Sequence, residues 1–443
     1  MNKLKKSSVV LIFLLNLMVI AGFWWNGSGE LFSGKAPDIF LALGRIFGLL
    51  AVYFVLLQFI LMGRTLWVER LFGLDKLARI HKLNGYISIS FIIFHPIFLI
   101  LAYSMMGKIG FLEQYFDFMQ NYEGAMLASI ATMLFVIIVF LSITMVRKKL
   151  KYELWYYIHL LTYLAVLLAF AHQFKLGGDL LGSKYFSYYW FALYAFVFAN
   201  LLIFRFITPW YKTLKYGFRV DEVVQETNDT TSVYITGKNL ERWHAKAGQF
   251  IIVRFLSKGF WKEAHPFSLS FIPKNNRIRI TIKNSGDFTS KIGEIKKGTK
   301  MYIDGPYGVF TSHANLKAKY AFIAGGVGIT PIRSLVEKLA PTNDIIVLYS
   351  NKNLHDTIFK KELDELAEKH RFPLHYIITD QPDYTGEKGR IDQEKIQRLI
   401  KDIQDREVYI CGPIPMLDAT RKLLMSKEIG VKAEKIHYEK FAL

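Results

Sequence analysis

Four histidines are the only histidines in the first 240 residues: His81, His95, His159 and His172. The spacing is 14 residues from His81 to His95 and 13 residues from His159 to His172. On α-helices that rise ~1.5 Å per residue, these spacings correspond to about 21 Å and about 20 Å. If both helices enter a membrane from the same side, His81 and His159 lie at one depth and His95 and His172 at another. Two levels of two imidazoles suit two six-coordinate b-type haems stacked across the membrane.

The angular positions of these histidines are less simple. At ~100° per residue, His95 lies within about 40° of His81, whereas His172 is rotated by about 140° from His159. Either the helix that carries His159 has an irregular turn, or the two haems sit at different angles around it. Pro96 would bend the other helix. Hydrogen bonding between helices is the plainer alternative for all four, and zinc is disfavoured because no cysteine or carboxylate joins either level.

A single charge, Arg45, lies inside an apolar segment near its outer end. One interpretation is that its side chain extends to the membrane surface. The other is that it pairs with a propionate of the outer haem and acts at the site where the acceptor is reduced.

A glycine-rich segment follows an Ala-Phe-Ile-Ala strand near residue 324. Glycines let a backbone approach a dinucleotide closely, and a helix that begins there favours its phosphates. The segment is therefore predicted to bind NADPH or NADH, and its candidate residues are Gly325, Gly326, Gly328, Thr330 and Pro331.

Two basic residues farther along are candidates for binding the 2′-phosphate of NADPH. Lys352 follows the next predicted strand, and Arg390 lies in a Lys-Gly-Arg turn. No acidic residue directly ends that strand to bind a free 2′-hydroxyl, so NADPH is favoured, with use of NADH also open.

Three further segments give the chain a family resemblance. His265-Pro266-Phe267-Ser268-Leu269-Ser270 resembles the flavin signature of the ferredoxin reductase superfamily, in the form found in NADPH oxidases and ferric reductases. The segment that begins at Gly286 resembles the second flavin segment of that family, and the segment that begins at Cys411 resembles its second nicotinamide segment. The histidine spacings resemble its membrane domain, so the resemblance covers nearly the whole chain.

The resemblance implies roles for individual residues. Ser268 would hydrogen-bond near the flavin N5, and His265, Pro266 and Phe267 would hold the ribityl–phosphate arm or ring of FAD. The second flavin segment would leave backbone N–H groups free for the pyrophosphate through Gly286, Thr289 and Ser290. Asp304-Gly305-Pro306-Tyr307-Gly308 would be the turn that closes the flavin domain.

The same resemblance assigns the far end of the chain to the nicotinamide. Cys411 would lie beside the nicotinamide ring with Gly412 and Pro413, although a small buried apolar residue is the plainer interpretation of this cysteine. Phe441 would cover the flavin until the nicotinamide displaces it, or else it only anchors the C-terminal tail.

Six apolar spans, each near the ~20 residues that a membrane helix needs, would position the histidines. The spans are Ser8–Trp25, Ile39–Met62, Asn84–Tyr103, Met126–Val146, Trp155–Phe174 and Tyr185–Ile207. The first is interpreted as a retained helix and not as a signal peptide. The N-terminus and the loops after spans two and four carry twelve Lys and Arg residues, whereas the other loops carry four. This asymmetry predicts a multi-pass protein of the cell membrane whose N-terminus and reductase half are cytoplasmic.

Composition agrees with a membrane protein. The net charge is +19, but the basic residues of the first half lie between long apolar runs, which indicates membrane topology and lipid contact instead of nucleic-acid binding. Cys411 is the only cysteine, which excludes a disulfide framework within the chain and a cysteine-ligated iron–sulfur cluster.

The expected fold is an α-helical membrane bundle of six transmembrane helices, a β-barrel FAD domain and an α/β nicotinamide-binding domain. Alternation at Phe250–Phe255 and Arg277–Ile282 predicts antiparallel strands, and apolar runs after residue 317 predict parallel ones. The expected domain boundaries are 1–210, 211–314 and 315–443.

The resemblance implies an order of electron flow: hydride from NAD(P)H to FAD, then single electrons through the inner and the outer haem to an external acceptor. Movement out of a negative interior is favoured by ~2.3 kcal/mol per 100 mV. We favour oxygen, giving superoxide, because the outer loops offer no clear iron-binding cluster. A ferric-chelate reductase remains an alternative, as does an electron-conducting subunit that reduces a partner protein or a quinone.

Overall fold

The computed structural model describes residues 2–143, 149, 152–312 and 318–439. By its internal contacts the chain divides into two compact units. The first comprises Met1–Leu71 and Lys76–Arg205, and the second comprises Phe72–Asp75 and Phe206–Leu443.

The described part of the first unit is entirely helical. Its helices are α1 (Asn2–Ser28), α2 (Ala36–Met62), α3 (Leu66–Phe72), α4 (Leu74–Gly107), α5 (Phe111–Asn121), α6 (Ala125–Ser142), α7 (Tyr152–Leu176), α8 (Gly178–Gly182) and α9 (Lys184–Leu201). A π-helical turn at Leu202–Ile207 leads into α10 (Thr208–Tyr216), whose residues count with the second unit.

Six of the described helical segments are long and apolar enough to cross a membrane, which confirms the prediction of six spans. They are Lys6–Ser33, Ala36–Met62, Leu74–Gly107, Ala125–Ser142, Leu154–Leu176 and Lys184–Tyr216. Their outward faces carry exposed large apolar side chains: Val10, Leu11 and Met18 of α1 are 50%, 55% and 59% exposed. Lipid is the environment that favours such a surface, so this is a multi-pass membrane protein.

The second unit begins with a six-stranded antiparallel sheet in the order β1-β2-β5-β4-β3-β6. Its strands are β1 (Arg219–Thr227), β2 (Thr230–Thr236), β3 (Phe250–Phe255), β4 (His265–Lys274), β5 (Arg277–Lys283) and β6 (Met301–Tyr307). Backbone hydrogen bonds from Val220 to Thr299 and from Met301 to Phe218 join the first strand to the last and close the sheet into a barrel. The barrel fills with alternating apolar side chains such as Val233, Ile251 and Ile280, all fully buried.

A parallel sheet follows, in the order β10-β9-β8-β7-β11-β12. Its strands are β7 (Lys319–Gly325), β8 (Asp344–Asn351), β9 (Leu374–Ile378), β10 (Glu387–Lys388), β11 (Glu407–Cys411) and β12 (Ile436–Tyr438). Its helices are α11 (Ile329–Leu339), α12 (Lys360–His370), α13 (Gln393–Leu399) and α14 (Ile414–Leu424). Apolar side chains fill both faces of the central strands, as expected for a doubly wound sheet. The predicted fold class is therefore confirmed.

One local prediction was wrong. The segment from Asp304 to Tyr307 was expected to be a turn, but it forms the end of strand β6 and pairs with β3. Gly305 and Pro306 fit in this strand because the pairing between β6 and β3 is irregular there, between Phe250 and Ile252 of β3.

Candidate functional site

The four membrane histidines form two facing pairs. The ring centroids of His81 and His159 lie 6.0 Å apart, and those of His95 and His172 lie 6.4 Å apart. Two imidazoles that coordinate one metal ion from opposite sides at ~2 Å each place their ring centroids about 6 Å apart. Both pairs therefore have the separation that a shared iron requires.

In two of these rings, those of His95 and His159, a contact at Nδ1 leaves Nε2 available for coordination. Nδ1 of His95 lies 2.8 Å from the carbonyl oxygen of Gly44, which can only accept, so Nδ1 carries the proton and Nε2 keeps its lone pair. Nδ1 of His159 lies 3.4 Å from Oγ of Ser142. A side chain at Gly48 would collide with the ring of His95, because a Cβ there would lie 2.6 Å from Nδ1.

Helix α7, which carries His159 and His172, is α-helical throughout its described length. An irregular turn therefore does not absorb the angular offset between its two histidines. Of the two alternatives drawn from the sequence, this leaves the one in which the two pairs lie at different angles around the helix. Helix α4 continues through Pro96.

A cavity of about 510 Å³ surrounds the His95–His172 pair. Helix α5 and the residue that follows it contribute aromatic side chains to its lining, among them Tyr115, Phe118 and Tyr122. The volume falls within the ~300–1,000 Å³ of sites that enclose a cofactor-sized ligand.

Arg45 lines the same cavity but is not isolated. Its Nη1 donates to Oγ of Ser28 at 3.2 Å and lies 3.7 Å from Oδ1 of Asp179. Ser28 also donates to Asp179, at 2.7 Å. Burial raises the pKa of the Asp179 carboxyl above its ordinary value, and the Ser28 hydrogen bond and the Arg45 charge oppose that rise. Asp179 was not predicted from the sequence; the available signal was an acidic residue in an otherwise apolar Gly-Gly-Asp-Leu-Leu segment.

The flavin signature lies on β4, paired with β3. Ser268 is 5% exposed, and its buried Oγ has no hydrogen-bond partner among the described residues. Such a hydroxyl is costly unless a ligand satisfies it, so this residue fits the flavin that the motif implies. His265 and Phe267 share the other face of the strand, and the ring of His265 lies 4.1 Å from that of Phe288. Pro266 is half-buried between them along the strand.

The second flavin segment forms a compact turn into a short 3₁₀-helix, Thr289–Glu294. Thr289 Oγ1 accepts from the backbone N–H of Ser285 at 2.8 Å, and Ser290 Oγ donates to the carbonyl of Asp287 at 3.0 Å. Nothing lies within 4 Å of the position of a Cβ on Gly286. The two hydroxyls thus close the turn themselves, and Gly286 faces open space.

The nicotinamide segments meet at the carboxyl ends of adjacent strands. The strand order reverses between β7 and β11, and ligands of doubly wound sheets bind in the crevice outside such a switch point. The glycine segment leaves β7 there, and Cys411-Gly412 leaves β11. A Cβ on Gly328 would collide with the carbonyl of Cys411, and one on Gly412 would lie 3.1 Å from the nitrogen of Gly325.

The remaining residues of these segments are ordered by local contacts. Gly326 has a φ of +51° and open space beside it, Thr330 Oγ1 donates to the carbonyl of Val327, and Pro331 is buried at the start of α11. Pro413 caps helix α14. Cys411 is fully buried, which raises the pKa of its thiol and keeps it uncharged.

The structure brings the two candidate 2′-phosphate residues to one edge of the sheet. Lys352 directly follows β8 and Arg390 follows β10, and both are exposed. Asp380, two residues after β9, lies beside Lys352, because its backbone N–H donates to the carbonyl of Lys352 at 2.9 Å. This acidic residue was not predicted from the sequence, because only the end of the strand before Lys352 was considered. Phe441 lies outside the described residues.

Comparison with family models agrees with this organisation. Residues 47–170 match the ferric reductase like transmembrane component, residues 216–311 match an FAD-binding domain, and residues 322–422 match the oxidoreductase NAD-binding domain. The chain therefore has the NADPH oxidase/ferric reductase architecture, with FAD- and NAD-binding domains of the ferredoxin reductase type. The matched segments thus combine a transmembrane component with the FAD-binding and NAD-binding domains of oxidoreductases.

Individual relatives match about half of the chain. The glycine betaine monooxygenase reductase subunit of Pseudomonas aeruginosa is 26% identical over 50% of this chain and 63% of its own length. The flavohemoprotein of Bacillus subtilis is 27% identical over 51% of this chain and 58% of its own length. The chain thus spans less than two thirds of either relative. Among solved structures, the FAD/NAD-binding domain of nitric oxide dioxygenase from Vibrio cholerae is 25% identical, with a TM-score of 0.45, over 51% of this chain and 97% of that one.

Proposed function

We propose that this protein takes electrons from NAD(P)H in the cytoplasm and delivers them through FAD and two b-type haems to oxygen outside the membrane, forming superoxide. The observation that carries the proposal is the matched geometry of the two histidine pairs, with ring centroids 6.0 Å and 6.4 Å apart. When bound, FAD accepts a hydride and releases single electrons, which is the form that haem iron can carry.

The inner haem would be held by His81 and His159, and the outer haem by His95 and His172. The bond from His95 to the Gly44 carbonyl supports this assignment, because it fixes the ring orientation and its tautomer. The cavity around the outer pair supports it as well, being large enough for a cofactor.

In the reductase half, residues 211–314 would form the FAD domain and residues 315–443 the nicotinamide domain. Ser268 would supply its unpartnered hydroxyl to the flavin. Gly325, Gly326 and Gly328 would admit the pyrophosphate at the switch point, where α11 begins. Lys352 and Arg390 would bind a 2′-phosphate, with NADPH preferred.

Oxygen is the proposed acceptor because of the groups at the outer cavity. Arg45 lines that cavity, and its guanidinium, although paired with Asp179, would stabilise the developing charge of superoxide. Two nearby acidic side chains already have partners: Asp117 accepts from Gln114 and Asn121, and Glu123 pairs with Lys175.

The cytoplasmic position of the N-terminus and the reductase half is supported by the charge asymmetry of the loops, twelve basic residues against four.

The haem assignment is tested by counting haems in purified full-length protein. Wild type is expected to bind two low-spin haems per chain, and His95→Ala or His172→Ala one. His244→Ala, an exposed histidine of the barrel, is the matched control and should retain two. One haem or none in wild type would contradict the proposal.

The acceptor is tested in proteoliposomes, with NADPH supplied on the side of the reductase domain. Reduction in air of a membrane-impermeant dye on the opposite side, abolished there by superoxide dismutase and lost in His95→Ala, would support superoxide formation at the outer site. Negligible turnover in air together with fast turnover under nitrogen with ferric citrate would make the protein a ferric reductase.

A further inference from the structure

An ionic cluster of two buried arginines and a partly exposed glutamate connects the barrel with the α/β domain. Glu362 on α12 accepts hydrogen bonds from Nη1 and Nη2 of Arg279 at 2.6 Å and 3.0 Å, and from Nε of Arg333 at 2.8 Å. Arg279 belongs to β5 and is 1% exposed, and Arg333 belongs to α11 and is 8% exposed. We call these three residues the Glu362 cluster. One carboxylate thus holds two arginines that lie in different domains.

The cluster lies against the flavin strand. Arg279 Nε donates to Oγ of Ser270 at 2.8 Å, and Arg333 Nη1 donates to the carbonyl of Ser270 at 3.3 Å. Ser270 is two residues from Ser268 on β4, at a point where the pairing of β4 with β5 is irregular. Arg333 lies in the second turn of α11, the helix that begins directly after the glycine segment. The cluster therefore connects the flavin strand to the helix that carries the nicotinamide loop.

Two more contacts join the barrel to the helices α11 and α12 of the α/β domain. The backbone N–H of Gly248, in the barrel, donates to Oγ of Ser334 on α11 at 2.9 Å. The guanidinium of Arg279 lies 4.1 Å from the ring centroid of Phe359, the residue that precedes α12. Phe359 has a φ of +59°, which is uncommon for a bulky residue, so the surrounding contacts hold it in that conformation.

The cluster has two positive charges and one negative charge, and Glu337, which pairs with Arg333, supplies a second negative charge beside it. Burial alone would raise the pKa of Glu362, but the hydrogen bonds and charges of Arg279 and Arg333 outweigh it and hold that pKa below its ordinary value. Without the carboxylate, two largely buried cations would face each other with only Glu337 beside Arg333.

We propose that Glu362 is a positioning residue for hydride transfer: by joining Arg279 to Arg333 it fixes the separation between the nicotinamide at the glycine segment and the flavin at β4. The proposal rests on the FAD and NAD(P)H sites described above. In the step concerned, the C4–H bond of the nicotinamide breaks and its hydride, with both electrons, forms the N5–H bond of the flavin. Such a transfer needs the reacting atoms about 3–3.5 Å apart, and a displacement of 1 Å costs up to ~100-fold in rate.

The test is Glu362→Gln in the full-length protein, with Glu365→Gln as the matched control. Glu365 lies on the same helix and is exposed. A glutamine keeps the shape of the side chain but loses the charge. Only one of its two terminal atoms, the amide oxygen, can accept hydrogen bonds from the arginines. Anaerobic stopped-flow measurement of flavin reduction at increasing NADPH separates the limiting rate from NADPH affinity. Flavin fluorescence gives FAD affinity, and the NADP⁺-induced change in flavin absorbance reports how the two rings stack.

Glu362→Gln is expected to lower the limiting rate about tenfold, with less than a twofold change in FAD or NADPH affinity, because the Gly248–Ser334 bond remains. The NADP⁺-induced absorbance change should also weaken, and Glu362→Asp should restore part of both. Arg279→Lys keeps the charge but loses the bidentate hydrogen bond to Glu362, so it should also lower the limiting rate. It replaces Glu362→Gln as the test if that variant does not fold.

An unchanged limiting rate in Glu362→Gln would overturn the proposal. A fall in rate that is matched by loss of FAD, with an unchanged NADP⁺-induced spectrum, would also overturn it and reduce the cluster to a structural role. The external acceptor does not enter these anaerobic measurements, and the variants are compared with wild type at equal haem content, so the positioning role and the proposed transmembrane function fail separately. Failure of wild-type flavin to be reduced by NADPH would contradict the function itself.

Discussion

Gly48 gives the sharpest test of the outer haem site, because the structure limits what can replace it. A Cβ at this position would lie 2.6 Å from Nδ1 and 2.7 Å from Cε1 of His95, whereas ordinary contacts begin at 3.4 Å. In Gly48→Ala the imidazole of His95 must therefore move by about 0.8 Å. The distance between a metal and its ligand tolerates only about 0.2 Å, so the displaced ring can no longer coordinate iron.

The ring has little freedom to avoid the new methyl group. Its Nδ1 is bonded to the carbonyl of Gly44, one turn before Gly48 on the same helix, and its partner His172 lies on the opposite side of the proposed iron. We expect Gly48→Ala to bind one low-spin haem in place of two, with the inner pair, His81 and His159, unaffected.

The measurement is the haem-to-protein ratio and the low-spin absorbance of full-length protein purified in detergent. Gly22→Ala is the matched control: Gly22 also lies in an apolar helix, but nothing lies within 4 Å of its Cβ position. Control and wild type should each bind two haems. Two low-spin haems in Gly48→Ala would refute the assignment of His95 as a ligand, since the distances leave no room for both groups.

Three further predictions follow from individual contacts. Asp179→Ala removes the buried acceptor of the Ser28 hydroxyl and should lower the unfolding free energy of the membrane unit by about 2 kcal/mol, measured by thermal denaturation in detergent; an unchanged melting temperature would contradict the importance of this hydrogen bond. Burial alone would raise the pKa of Asp402, but hydrogen bonds from Arg406 and Lys319 lower it to about 2. Because this folded-state pKa is depressed, Asp402 contributes stability above its unfolded pKa of about 3.9 that is lost as pH falls toward 2, and Asp402→Asn should flatten the acid limb of a melting-temperature profile. If Phe441 covers the flavin, Phe441→Ser should change NADPH affinity or the NADH/NADPH preference, and identical cofactor titrations would leave it a tail anchor.

The elements of this protein were largely predictable from sequence because their signals are local. Hydropathy over ~20 residues gave the six spans, and alternation gave Phe250–Phe255 with the bounds that β3 has. The glycine segment was predicted to follow a strand and open a helix, as it does between β7 and α11. The failed turn at Asp304 depended instead on strand pairing with β3, which a Pro–Gly signal does not report.

The sequence by itself determined which residues can do chemistry here, since histidine spacing, glycine segments and apolar length are properties of one stretch of chain. Only the tertiary structure decided which groups face each other. Ser28 and Asp179 meet across 151 residues, and Arg279 and Glu362 across 83. No periodicity within a helix or strand encodes such partners, because a buried charge selects its counter-charge only after separate elements have packed and excluded water.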